Sequence, residues 1–223
     1  MKPALTVLLA VIALAGAPST SLAGKPPASA CTLPASDMCA DYVWRGHRWA
    51  SQPIPFRVNV AVPLPGAEQD VLDAFAAWQN EVKSPQVEAA YPGDGSSIAF
   101  VYLGPTTAGP SNDGVNTVFI GPAGGGIGGA AVRLRRKEIL EFDITINSNV
   151  GWSTDLTCPG HNCGALDLQN VLTHEVGHAL DLYHVSEAAQ AELTMAPSAA
   201  ADETKKRDLG AGEILAIRRI YPA

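Results

Sequence analysis

The chain has 223 residues, 47% of them hydrophobic and 17% charged, which suits one packed domain plus processing segments and excludes a disordered polymer. Its formal net charge is −7, the wrong sign for neutralising nucleic-acid phosphates, and the single basic run, Arg133-Leu134-Arg135-Arg136-Lys137, reads as a solvated turn. No stretch is long and apolar enough to span a bilayer comfortably.

Residues 1–23 read as a removable export signal. Lys2 supplies the positive start, residues 5–17 are apolar but short, and Ser21-Leu22-Ala23 is a small-x-small cleavage site that leaves Gly24 as the new N-terminus. The expected location is therefore secreted: extracellular or periplasmic. Residues 24–48 form a short lead-in, too small for a domain of its own, and residues 49–223 hold the folded domain. An exported chain with four cysteines is expected to pair them. Cys31 with Cys39 and Cys158 with Cys163 is the simplest of three possible pairings, and a competing reading makes Cys158, His161 and Cys163 a small metal site.

Phe56, Val58 and Val60 alternate as a strand does, and Pro63-Leu64-Pro65-Gly66 ends it. Val71, Phe75, Trp78 and Val82 recur at helical spacing and predict a helix over 67–83. Further strands are predicted over 97–103, 116–120 and 130–134, with a fifth carried by the alternation of Leu140, Phe142, Ile144 and Ile146. A glycine-rich loop is expected over 121–129 and a cysteine-bearing one over 148–164. Asp167 can cap a helix running to residue 180, with Leu168, Val171, Leu172, Val176 and Ala179 on its apolar face. Ile214, Ile217, Ile220 and Tyr221 mark a closing helix over 212–221. This order predicts an α/β fold in which a twisted, mixed, five-stranded sheet packs against two long helices.

The chemistry concentrates in Thr173-His174-Glu175-Val176-Gly177-His178-Ala179-Leu180-Asp181-Leu182-Tyr183-His184. Residues four apart lie on one helical face, so His174 and His178 present two imidazoles to one point. If the helix stops near residue 180 and the chain turns back, His184 supplies a third nitrogen. Three protein ligands leave a fourth position for water, the arrangement of a catalytic zinc rather than a structural one. Glu175 adjoins the first histidine and can reach such a water without ligating the metal.

This stretch resembles the metzincin signature, and Leu193-Thr194-Met195-Ala196-Pro197 resembles the turn, centred here on Met195, that runs beneath the metal in that clan. Asp113 to Phe119, Asp143 to Asn147, Leu168 to Leu172 and Ile214 to Tyr221 are similar to segments of the matrixin branch. The likeness spans roughly residues 49–222. It implies an α+β zincin-type fold and a secreted zinc endopeptidase with His174, His178 and His184 as ligands and Glu175 as general base. It also implies a monomer whose protein or peptide substrate lies extended along the strand near 130–134, with small residues 196–200 walling the specificity pocket. It further implies structural calcium or a second zinc, for which Asp94 and Asp113 are the candidate ligands. Asp181 departs from the family, which places glycine there; aspartate is among the few other residues that visit positive φ, so the turn is expected to survive. Two rivals stand beside this reading. One is a zincin of another clan with Glu192, Asp202 or Glu203 as third ligand; the other is a secreted binding module that keeps the fold without catalysis.

Overall fold

Alternating apolar residues build the sheet, and helical apolar stripes cover one of its faces. The computed structural model describes residues 6–11, 31, 36–154 and 163–223. Short strands come first: β1 (Thr6–Val11), β2 (Val43–Trp44) and β3 (Arg48–Trp49). They are followed by β4 (Ile54–Val60), helix α1 (Ala67–Gln79) and the short helix α2 (Pro85–Ala90). Then come β5 (Phe100–Pro105), β6 (Thr117–Gly121), β7 (Gly128–Arg135), β8 (Glu138–Asn147), β9 (Trp152–Ser153) and β10 (Leu166–Asp167). The remainder is α3 (Leu168–Ala179), β11 (Leu182–Tyr183), the single turn α4 (Glu187–Gln190), a 3-10 turn at Lys205–Arg207, and α5 (Ala211–Ile220).

The main sheet has seven strands in the order β1-β7-β8-β6-β4-β5, with β3 pairing β8 beside that path. Strands β4, β5, β6 and β8 run parallel, while β7 is antiparallel to β8. All five predicted strands are present; β1 and β3 add to them. Phe56 and Val58, Val118 and Ile120, Phe142, Ile144 and Ile146, and Ala130 and Val132 all point to one buried face. Helices α1 and α3 close that face. Phe75 of α1 stacks on Phe56 at 3.9 Å between ring centroids, and the Trp78 indole donates to the Thr173 carbonyl of α3 at 2.8 Å. The tie fixes α1 against the helix that carries the histidines.

The predicted first helix overran by four residues. Asn80 caps α1, and Glu81 takes φ +45, which no α-helix continues. Val82, predicted on the apolar face, is therefore 44% exposed. Ser84 then caps α2 with Pro85 in its first turn, a start signal the sequence reading passed over. Likewise Gly128 and Gly129, expected in the glycine-rich loop, already belong to β7.

Residues 36–48 pack into the domain. Strand β2 pairs antiparallel with β11, and β3 pairs with the start of β8. The Asp37 carbonyl accepts from Ala211 N at 2.7 Å. At Gly212 of α5 the Asp41 carbonyl lies where a Cβ would stand, so only glycine lets this segment approach the helix. Cys31 and Cys39 form a disulfide. Cys163 is disulfide-bonded as well, which removes it from a thiolate metal site; Cys158 and His161 fall outside the described residues, as does the Ser21-Leu22-Ala23 cleavage site.

Candidate metal centre

Helix α3 begins where Asp167 accepts from Asn170 N at 2.8 Å, the cap its sequence predicts. The Arg207 guanidinium grips the same carboxylate with two bonds of 2.9 and 2.5 Å. Four residues apart on this helix, His174 and His178 face the same point. The chain leaves the helix at Leu180 and reverses at Asp181, whose φ is +67. His184 thereby arrives with Nε2 3.2 Å from that of His174 and 3.1 Å from that of His178.

These separations cannot be a network of ordinary hydrogen bonds. His174 Nδ1 lies 2.7 Å from the Thr194 carbonyl and His178 Nδ1 lies 2.8 Å from the Leu182 carbonyl. A carbonyl only accepts, so each Nδ1 carries the hydrogen and each Nε2 presents a lone pair inward. One hydrogen on His184 could satisfy only one of them. Nitrogens bound about 2.0–2.1 Å from a tetrahedral zinc stand roughly 3.3 Å apart, close to the spacing seen. Burial, reinforced by the nearby Lys206 cation, holds His174 well below the ordinary imidazole range, and burial brings His178 down to about 3. Both rings are neutral at physiological pH, the form a metal requires.

Glu175 is the second fit. It is fully buried, and neither carboxylate oxygen has a hydrogen-bond partner among the described residues. Burial pushes its pKa well above the usual carboxylate range. A buried carboxylate without partners is costly, and a metal-activated water in front of it would supply the missing partner. Strand β7 starts beside it: a Cβ at Gly128 would stand 3.2 Å from Glu175 Oε1.

Met195 lies under the helix. Gly177 has no room for a side chain, because a Cβ there would overlap Met195 Sδ and sit 2.8 Å from Trp78 Cζ2. The Met195 backbone is itself pinned: its N–H donates to Glu213 at 3.0 Å and its carbonyl accepts from Val185 N at 3.1 Å. The residue before it, Thr194, orients His174.

The rival third ligands are engaged elsewhere. Asp202 accepts from the Cys163 and Gly164 amides, Glu203 from Asn170 and Lys205, and Glu192 pairs with Lys205. Among the described residues, three histidines form a cluster fit to hold a metal, and neither Asp94 nor Asp113 joins such a cluster. Asp113 instead caps its own turn by accepting from Val115 N. A cavity of about 500 Å³ lies on the outer face of β7 and β8, against Ala131, Arg133, Glu141 and Asp143; its lining includes none of the histidines.

Sequence reading missed the groups that orient the ligands: the carbonyls of Thr194 and Leu182, the buried Glu213, and the His47 that meets Asp181. Backbone carbonyls carry no residue-type signal. The acidic and basic partners are distant in sequence and show no spacing pattern.

A histidine pair on a buried helix, a third histidine from the following turn and a methionine beneath them define a zinc-metallopeptidase type of domain. The family model described as Matrixin matches residues 48–222, and the chain belongs to the matrixin family of zinc-dependent peptidases. No curated protein sequence matches the chain significantly.

Proposed function

We propose that the protein is a secreted zinc endopeptidase in which His174, His178 and His184 hold the metal and Glu175 is the general base. The observation that carries this is the convergence of three imidazoles, with His184 Nε2 within 3.2 Å of the Nε2 atoms of His174 and His178, beside a buried carboxylate without a hydrogen-bond partner among the described residues. When bound, zinc supplies a polarised scissile carbonyl and a water acidified toward neutrality. Glu175 takes the proton of the attacking water and passes it to the leaving amine nitrogen as the C–N bond breaks. The carbonyls of Thr194 and Leu182 keep His174 and His178 in the metal-binding tautomer. Met195, packed against Gly177, supports the helix turn between those two ligands.

The substrate is a protein or peptide lying antiparallel along β7. The chain's own Thr6–Val11 segment lies there, with Val11 opposite Gly129 and Ala10 opposite Ala130, so this edge accepts an extended strand whose backbone bonds need little side-chain identity. Residues 1–23 are an export signal whose removal would vacate that edge, and residues 196–200 wall the specificity pocket. Among the described residues, no helix is long and apolar enough to cross a membrane. The enzyme acts as a secreted monomer, and a non-catalytic role is disfavoured by the intact Glu175. Purified protein should cleave casein, lose that activity to a zinc chelator and regain it with added zinc. Cleavage unaffected by chelation would overturn the assignment.

A further inference from the structure

We propose that Asp181 and His47 form a positioning clamp for the metal centre: a carboxylate set in the turn between His178 and His184 locks that turn to residues 43–49. This rests on the three-histidine reading above. Asp181 stands at φ +67, a conformation that costs a non-glycine residue free energy, and its side chain is 1% exposed, which adds a desolvation cost. Two penalties at one position call for compensation, and it comes from a single stretch of chain. Asp181 Oδ2 accepts from the His47 amide at 2.9 Å and lies 3.0 Å from His47 Nδ1. The Asp181 carbonyl accepts from Arg45 N at 3.4 Å.

The same stretch holds the rest of the turn. Trp44 pairs with Leu182 and Val43 with Tyr183 across β2 and β11. The Arg45 guanidinium lies 3.4 Å above the Tyr183 ring, and the Trp49 indole donates to the Ala179 carbonyl at 3.1 Å. The Trp44 indole donates to the His47 carbonyl at 2.7 Å and closes the loop that carries His47. Leu182 is the residue whose carbonyl orients His178, and His184 follows two residues later. Displacing this turn would shift one ligand's hydrogen-bond partner and the other ligand's backbone together. Residues 43–49 are therefore part of the metal centre's support, and Asp181 is a positioning residue rather than a catalytic one. Glycine would form the turn without strain but could not anchor it.

That contrast gives the test. Zinc dissociation constants are measured by competition with a chromogenic chelator on the full protein, on D181G and on D181N. Asparagine tolerates positive φ and keeps an oxygen that accepts from the His47 amide; glycine relieves the backbone and removes the anchor. D181G should bind zinc about 10–100-fold more weakly, the usual loss for an outer-shell partner, and D181N should stay within about threefold of wild type. Amide exchange at Arg45 and His47 should quicken in D181G but not in D181N. A glycine variant that binds zinc as tightly as wild type, or an asparagine variant that loses as much as glycine, overturns the clamp. A wild-type protein that takes up no zinc is a different outcome: it defeats the metal centre itself and the clamp with it.

Discussion

Replacing Glu175 by glutamine should separate two quantities that usually move together, by abolishing catalysis while stabilising the metal-free protein. The side chain is fully buried and neither oxygen has a partner among the described residues. Burial raises its pKa well above 4.5. A group whose folded pKa is raised contributes stability that is complete below its unfolded value and is lost as pH rises through the folded one. In metal-free protein above neutrality, Glu175 is therefore a liability, and glutamine has the same shape without the charge. Leaving a buried polar group unsatisfied costs about 1–3 kcal/mol, and more when it is charged. Relief of even about 1–2 kcal/mol would raise the melting temperature of a domain this size by about 2–8 °C. Loss of a general base should lower kcat/KM by about 10²–10⁴-fold, while zinc content, set by the histidines, is retained. The assay is a thermal melt of chelator-treated protein at pH 5 and pH 8, beside turnover of a fluorogenic peptide. The gain should be larger at pH 8. Activity within tenfold of wild type, or a metal-free variant that melts lower at pH 8, would refute the reasoning.

Other perturbations test the surroundings. His184→Ala removes one of three converging nitrogens, and zinc affinity should fall by at least about a hundredfold, beyond the range of outer-shell losses; full zinc occupancy after dialysis would remove this residue from the ligand set. Gly177→Ala drives a methyl into Met195 Sδ and Trp78. The overpacking should cost about 1–3 kcal/mol, outweighing the roughly 0.5–1 kcal/mol gained in helix propensity; an unchanged melting temperature would contradict the packing described. Burial lifts Glu213 to about 7, against the lowering effect of the Met195 amide. Its stabilising contribution is thus complete below about 4.5 and lost as pH rises through about 7, on the order of 3 kcal/mol. Glu213→Gln keeps an acceptor for Met195 and should flatten that part of the stability–pH curve; a slope equal to wild type would show that Glu213 does not titrate in this window.

Local pattern decided a great deal here. The alternation of Phe56 and Val58, or of Phe142, Ile144 and Ile146, specifies strands with one buried face, because side chains alternate across a strand whatever surrounds it. The four-residue step from His174 to His178 places two imidazoles on one helical face for the same kind of reason, and Asp167 announces its helix three residues ahead of the amide it caps. These are properties of the backbone repeat, so neighbouring residues suffice to reveal them.

What the sequence could not decide depends on which distant segments meet. The His174 tautomer is set by the carbonyl of Thr194, twenty residues away, and the turn bearing His184 is held by His47, 134 residues from Asp181. Val82 fits the helical stripe yet lies exposed, because the chain breaks at Glu81, whose carboxylate accepts from Arg218 of the closing helix. Such contacts form between backbone groups that every residue carries, or between charges with no fixed spacing. Only the assembled sheet and helices bring them within bonding distance.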